Sequence, residues 1–323
     1  MVNDSTRIIV LDGKTLNPGD NPWDEVSALG NLVVHDRTPP GEVLHRVQDA
    51  KIVVTNKAVF DAETLDQLPN LEFIAVTATG YNVVDVDHAR KCGIAVSNVP
   101  AYSTQSVAQH VFAMLLSYLH QPMAHDAAVK AGRWKQEQDF SFWLQPLSEL
   151  AGKTMGIVGL GRIGRATAKV ADALGMRIVA ASRTRSHPLP YPEFDWLETD
   201  SLFAESDVIS LHCPLTSDNH GFVNASLLES TKADAILINT ARGDLINEKD
   251  LAEALQQGQL RAALLDVCST EPIEPNNPLL TAPNCILTPH IAWATLEARR
   301  RAMQVTANNI AAFLNGNPIN LVN

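Results

Sequence analysis

Several things are scarce in this sequence of 323 residues, and each scarcity excludes something. No apolar run approaches the roughly 18 residues a membrane-spanning helix needs, and the N-terminus lacks the pattern of a secretory signal. Positive charge is in short supply. With 25 Lys and Arg against 36 Asp and Glu, the net charge is −11. That balance argues against a nucleic-acid or anionic-membrane surface, and it leaves any anionic ligand to a few local cations. There are four cysteines, Cys92, Cys213, Cys268 and Cys285, far apart and without a C-x-x-C. Three are flanked by apolar, strand-like sequence, so they read as buried, reduced thiols in a cytosolic chain without a structural metal. Repeats and low-complexity segments are lacking too. Aromatics make up 6% of the chain. Even so, Trp134, Phe140, Phe142 and Trp143 crowd into one non-periodic stretch before Gln145-Pro146-Leu147, which reads as a subunit contact or a pocket wall.

What is abundant is alternation. Hydrophobic residues at 46% supply enough apolar surface for two ordinary domains. Strand-like runs fall at Arg7–Leu11, Leu32–His35, Lys51–Thr55, Phe73–Thr77 and Ile94–Ser97. Helix-like segments are interleaved with them, among them Asp61–Leu68, begun by an Asp cap, and Asp85–Lys91, ended by Gly93. Ser103–Leu119 is the best helix of this half, with Val107, Val111, Met114, Leu115 and Tyr118 on one face and a capping box expected from Ser106 and Gln109. Met123–Ala131 follows as a second helix. Strands resume near Val208–Leu211, Ala235–Asn239, Ala262–Leu265 and Ile286–Leu287, with helices at Asp200–Glu205, Ala225–Ser230 and Glu248–Gln257. A helix from Thr295 to Asn315 closes the chain. Such βα succession implies parallel sheets covered on both faces.

The chain is organised around Lys153–Arg185. An apolar run, Met155–Val158, leads into Gly159-Leu160-Gly161-Arg162-Ile163-Gly164. A helical apolar stripe (Ala166, Ala168, Val170, Ala171, Leu174) follows and stops at Gly175, and a second strand, Ile178–Ala181, comes next. This is the context in which G-x-G-x-x-G binds a dinucleotide, with the pyrophosphate at a helix N-terminus. An NAD site usually carries Asp or Glu at the end of the second strand. Here the residues are Ser182-Arg183-Thr184-Arg185, with no carboxylate to repel a 2′-phosphate and two guanidiniums to pair with one. NADP is therefore favoured over NAD.

Three polar residues stand just beyond later strands: Arg242, Glu271 and His290. Carboxyl ends of strands in a doubly wound sheet face the ligand crevice, so these three are expected to converge beside the nicotinamide. Histidine can give a proton to a carbonyl oxygen near neutral pH, a carboxylate behind it can orient the ring, and arginine can clamp a substrate carboxylate. That set suits reduction of a 2-oxo acid.

Five motifs carry a resemblance. They are Val158 to Gly164, His212-Cys213-Pro214-Leu215-Thr216, Asn239-Thr240-Ala241-Arg242-Gly243, Leu265-Asp266-Val267 with Glu271-Pro272, and Thr288-Pro289-His290. In this order the sequence resembles the D-isomer-specific 2-hydroxyacid dehydrogenase family over essentially its whole length. The resemblance implies an α/β fold of two doubly wound parallel-sheet domains. One is a central Rossmann nucleotide-binding domain, 104–291. The other is a flavodoxin-like substrate domain made of 1–103 plus 292–323. It also implies that Arg242 binds substrate, Glu271 assists and His290 is the acid/base. Thr79 and Gly80 would offer N–H groups to the substrate carboxylate, Asp266 would contact the nicotinamide carboxamide, and Thr104 would lie near the phosphates. His212, Cys213, Pro214, Thr216, Thr240 and Ala241 would complete the cofactor site.

Asn98 to Thr104 and the Phe142-Trp143 loop are similar to bacterial glycerate dehydrogenases, also called hydroxypyruvate reductases. This implies reduction of hydroxypyruvate and glyoxylate by a homodimer in which Trp143 reaches the neighbouring subunit's site. Gln109 stands where many members have Glu, and Ser182 replaces the usual strand-end acid. The sequence stops at Asn323 without the regulatory domain of many phosphoglycerate dehydrogenases. Formate dehydrogenases typically carry Gln where Glu271 stands. Other readings are a dehydrogenase of another D-2-hydroxy acid, of D-lactate or 3-phosphoglycerate type, or a nucleotide-sensing binding protein like the corepressors that resemble this family.

Overall fold

The computed structural model describes residues 6–323. The chain divides into two compact units, one running to Ser103 and resuming at Ala294–Asn323, the other Thr104–Trp293. The first unit holds strands β1 Arg7–Val10, β2 Asn31–Val34, β3 Ile52–Thr55, β4 Phe73–Val76 and β5 Ala95–Ser97, all parallel in the order β2-β1-β3-β4-β5. Between them lie short helices: α1 Asp24–Ser27, α2 Val43–Val47, α3 Ala62–Asp66 and α4 Val86–Lys91. Strands β3 and β4 are buried at every position, as strands covered on both faces must be.

The second unit, Thr104–Trp293, is the longer of the two. That unit contributes α5 Thr104–His120, α6 Pro122–Lys130, β6 Thr154–Val158, α7 Arg162–Ala173, β7 Arg177–Ala181, β8 Asp195–Trp196, α8 Thr199–Glu205, β9 Val208–Leu211, α9 Ala225–Glu229, β10 Ile236–Asn239, α10 Glu248–Gln256, β11 Ala262–Leu265 and β12 Cys285–Leu287. The chain then ends in α11 Leu296–Leu314, which belongs to the first unit. In α11, Thr295 caps the Ala298 N–H, and Phe313 stacks on Phe73 of β4 at 4.5 Å. The last residues return to β5, where Val322 N–H donates to the Val96 carbonyl at 2.9 Å.

The second sheet is parallel in the order β12-β11-β10-β9-β6-β7-β8. Period-2 alternation splits its strands between two cores. Met155, Ile157, Ile178, Ile236, Ile238 and Leu264 face α5 and α7. Val158, Val179, Ile209, Leu237 and Leu265 face α8, α9 and α10.

Asp61 caps its helix as expected, accepting from Thr64 N–H, and Asp85 caps the next, accepting from His88 N–H. Two expectations fail, and two helices go unread. Ser106 does not open a capping box. It lies two residues inside α5, where its hydroxyl donates to the Ala292 carbonyl at 2.6 Å, a tertiary bond no local pattern encodes. Helices α1 and α2 are too short to show a period in the sequence. The cysteines are not uniformly buried. Cys92 is exposed and the other three are half-buried, because each sits at or beyond the end of its element rather than within it.

Candidate active site

The glycine turn follows β6. Gly159 has φ 96°, and a Cβ there would meet the Cys213 backbone nitrogen at 2.5 Å, so the turn after β6 and the turn after β9 touch through a glycine. A Cβ on Gly164 would lie 2.3 Å from the Gly159 carbonyl oxygen, which is why α7 can start so close to its strand. Gly161 differs. It is the N-cap of α7 in ordinary extended backbone, and a Cβ there would meet open space. Among the described residues no side chain caps the helix, and the Arg162 and Ile163 N–H groups have no backbone acceptor. Free N–H groups, a helix dipole and room for a close approach together form an anion cradle.

Three adjacent strands supply the polar rim. Register pairs Asn239 with Leu265 and Leu265 with Leu287, so β10, β11 and β12 release their loops at one level. Asn239 is fully buried and holds the first loop. Its amide donates to the Arg242 carbonyl at 2.8 Å and its oxygen accepts the Ala241 N–H at 2.9 Å. Arg242 is exposed, with one guanidinium nitrogen on the Ala241 carbonyl at 2.7 Å. A Cβ on Gly243 would lie 1.9 Å from the Cys268 carbonyl carbon, so glycine is what lets the arginine loop abut the loop that carries Glu271.

His290 Nδ1 lies 2.6 Å from Glu271 Oε2, both side chains about one-third exposed. The backbone of His290 is in the left-handed region, φ 54°, unusual for a residue with a Cβ. Asp266, 1% exposed, holds it there. One carboxylate oxygen accepts from the Thr288 hydroxyl at 2.6 Å and the Ile291 N–H at 2.9 Å, and the other accepts from the Ala292 N–H at 2.8 Å. His110 adds its ring nitrogen, 3.1 Å from the Thr288 hydroxyl and 3.5 Å from Asp266. Burial would raise the Asp266 carboxyl, but these hydrogen bonds outweigh it and hold the pKa below the usual value. Glu248, at the start of α10, grips the Glu271 loop from beneath. It accepts from Ser269 N–H and Oγ and from Asn277 Nδ2, each at 2.8 Å. Arranged this way, the rim offers an oriented imidazole, a carboxylate behind it and an exposed guanidinium, the elements of proton transfer to a carbonyl beside an anionic group.

The model of the D-isomer specific 2-hydroxyacid dehydrogenase NAD-binding domain matches residues 112–292. A hydroxypyruvate reductase of Blautia hydrogenotrophica is 48% identical over 98% of this chain and 99% of its own length. A glycerate dehydrogenase of Methylorubrum extorquens is 38% identical over 88% of each. Among solved structures, an NADPH-dependent glyoxylate/hydroxypyruvate reductase from Sinorhizobium meliloti, in complex with NADP and malonate, superposes with a TM-score of 0.82. It is 30% identical and covers 98% of this chain and 96% of that one.

The chain belongs to the D-isomer-specific 2-hydroxyacid dehydrogenase family. As a 2-hydroxyacid dehydrogenase it is a nicotinamide-dependent oxidoreductase. Its residues fit that cofactor. Besides the cradle at Gly161, the Thr240 hydroxyl beyond β10 is buried without a hydrogen-bond partner among the described residues. Beyond β9, His212 sits against the Ser210 hydroxyl at 2.9 Å, and burial pushes its pKa down to about 4, so the ring is neutral. Burial also raises the Cys213 thiol, against the pull of nearby Arg183. Pro214 and Thr216 sit in a loop fastened by Asn219, which takes the Thr216 N–H at 2.7 Å and donates to the Pro214 carbonyl at 2.9 Å. At the tip of β7, Ser182 is half-buried and Arg183 and Thr184 are exposed, while Arg185 is tied to Glu198 and the Leu197 carbonyl.

The remaining sequence-derived residues belong to other segments. Thr79 and Gly80 belong to the first unit, beyond β4. There Asn98 donates to the Thr79 carbonyl at 2.8 Å, while the Thr79 and Gly80 N–H groups have no backbone acceptor. Thr104 opens α5. Trp143 is 62% exposed in its loop. Sequence reasoning missed Asn239, Glu248, His110 and Thr288 as supports. The signal within reach was Gly243, whose immediate succession to Arg242 marks a close backbone approach.

Proposed function

We propose that this dehydrogenase reduces hydroxypyruvate to D-glycerate, and glyoxylate to glycolate, with NADPH preferred over NADH. The observation that carries the chemistry is the 2.6 Å pair of His290 and Glu271 on the rim that also carries Arg242. The near-full-length likeness to a hydroxypyruvate reductase supports the substrate. Glu271 takes the Nδ1 side of the imidazole and leaves Nε2 to give the proton to the carbonyl oxygen. Arg242 binds the substrate carboxylate with its fork of donors, and the N–H groups of Thr79 and Gly80 complete that recognition. When bound, a reduced nicotinamide supplies the hydride. The cofactor residues are the turn Gly159 to Gly164, Thr104, Ser182 to Thr184, His212 to Pro214, Thr216, and Thr240 to Arg242, with Asp266 and His290 at the nicotinamide end.

The NADPH preference is supported by Arg183. With Arg185 engaged by Glu198, Arg183 is the exposed guanidinium available to a 2′-phosphate, and no acid stands at Ser182 to repel it. A homodimer is supported by the face around α6. Met123, Trp134, Phe140, Trp143 and Leu147 are each at least half exposed. The loop is nevertheless fastened, with Trp134 Nε1 on the Phe140 carbonyl at 2.9 Å and Gln145 on the Tyr118 carbonyl at 3.0 Å. Ordered apolar surface of this kind fits burial by a second copy, with Trp143 reaching the partner's substrate. No helix among the described residues is long and apolar enough to cross a membrane, and the four cysteines are free, which fits a reducing cytosol.

The test is a panel of hydroxypyruvate, glyoxylate, pyruvate and phosphohydroxypyruvate, each with NADH and NADPH, followed by reduced-nicotinamide absorbance. The highest kcat/KM is expected for hydroxypyruvate with NADPH. A preference for pyruvate or the phosphorylated acid would overturn the substrate, and a preference for NADH would overturn the role of Arg183.

A further inference from the structure

The geometry points to a second, unrelated site: a divalent transition-metal site on the first unit, formed by Asp66, His88 and Cys92. The sequence alone reads these cysteines as plain thiols, and Cys92 is the one the structure exposes. Asp66 is the last residue of α3, while His88 lies in α4 and Cys92 is its C-cap. Asp85 fixes the start of α4 by taking the His88 N–H at 2.9 Å, and the Cys92 N–H donates to the His88 carbonyl at 3.0 Å. His88 and Cys92 are therefore one helical turn apart on one face, the spacing at which two side chains can share a ligand. Asp66 closes the group from the neighbouring helix. Its Oδ1 is 2.8 Å from His88 Nε2 and 3.8 Å from Cys92 Sγ. One ligand atom from each of the three lies within 4.8 Å of the others.

Tetrahedral zinc, with bonds of roughly 2.0–2.3 Å, sets its ligand atoms about 3.3–3.7 Å apart. The 2.8 and 3.8 Å separations bracket that range and the remaining one is within 4.8 Å, so the three donors need only modest side-chain shifts to meet one ion. Nitrogen, sulfur and oxygen together select zinc or cobalt over magnesium or calcium. Binding exchanges the thiol proton for the metal, leaving a thiolate and a carboxylate as the two anionic donors. The site is half-open, Asp66 being 64% exposed, so a fourth position is left for water or an outside donor. It shares no residue with the Arg242, Glu271 and His290 rim, and reduction of the 2-oxo acid does not depend on it.

The test is titration of the full, metal-free chain with Co²⁺, followed by competition with Zn²⁺. One ion per chain is expected, with a thiolate-to-cobalt charge-transfer band and the visible bands of four-coordinate cobalt, both bleached by zinc. Cys92→Ser should abolish the charge-transfer band, and His88→Ala and Asp66→Asn should each weaken binding at least about tenfold. All three variants should keep wild-type circular dichroism and metal-free reductase activity. Absence of a thiolate band in the wild type, or a band of equal strength in Cys92→Ser, would overturn the site. The readout is spectroscopic, so it stands or falls separately from the choice of substrate.

Discussion

The two sheets of this chain share a plan and differ at one spot. Each is parallel, and in each the chain runs outward on one side of its first strand and then crosses to the other. The crossing point lies between β1 and β3 in the first unit and between β6 and β9 in the second. Open α/β sheets bind ligands at that point. In the first unit it is already filled. The carboxylate of Asp12, just after β1, accepts the N–H groups of Asn56 at 2.9 Å, Lys57 at 2.6 Å and Ala58 at 3.2 Å, just after β3. In the second unit the N–H groups beside the crossing point are those after β6, at Gly161 and the first turn of α7, and among the described residues no side chain caps them. The fold offers the same crevice twice. In the first the protein's own carboxylate occupies it, and in the second the N–H groups are left open.

The comparison can be broken most severely by making the second crevice like the first. Gly161→Asp places a carboxylate at a backbone conformation that accepts it, with open space for the Cβ. Cofactor affinity, read by NADPH fluorescence, should fall at least a hundredfold, while Tm holds or rises slightly because Asp is a good N-cap. The reverse change, Asp12→Ala, strips partners from the N–H groups after β3. It should cost about 2–4 kcal/mol in denaturant unfolding and create no cofactor binding in the first unit.

His212 sharpens the picture through pH. The unfolded chain takes a proton at this histidine near its ordinary value of 6.5, but the folded chain only near 4. The unfolded state therefore binds more protons in this window. Stability is full above about pH 6.5 and falls by up to about 2–3 kcal/mol as pH drops through 4. Denaturant midpoints across that range should show the slope, and His212→Gln should flatten it. The smallest effect separates the two arginines beyond β7. Arg183→Gln should lower the NADPH to NADH preference about tenfold, a loss of about 1.4 kcal/mol, whereas Arg185→Gln, its guanidinium already held by Glu198, should leave the preference nearly unchanged.

Much of the second unit was legible because its constraints are local. A glycine needed for φ 96° or for a 2.3 Å approach to a carbonyl cannot be replaced, so the turn after β6 declares itself in the sequence. Strands buried on both faces declare themselves as apolar runs. His290, Glu271 and Arg242 could be found as polar residues just past such runs. Their supports could not. Nothing in the spacing of Glu248 or His110 says that they reach across to Ser269 or Thr288, because those bonds depend on strand register and helix placement, whereas the Asn239 bonds to Ala241 and Arg242 are a local turn within the motif. Ser106 shows the same limit, since its sequence context matches a helix cap while its hydroxyl serves Ala292. Asp12 passed unnoticed for the same reason, with partners more than forty residues away.

Proton donation by His290, held by Glu271, is the proposed chemical step. It is tested most directly by measuring hydroxypyruvate reduction and NADPH binding side by side in the wild type and His290→Gln. The expected result is a fall in kcat of roughly 10²–10⁴-fold with cofactor affinity unchanged. Turnover at the wild-type rate in His290→Gln would contradict it.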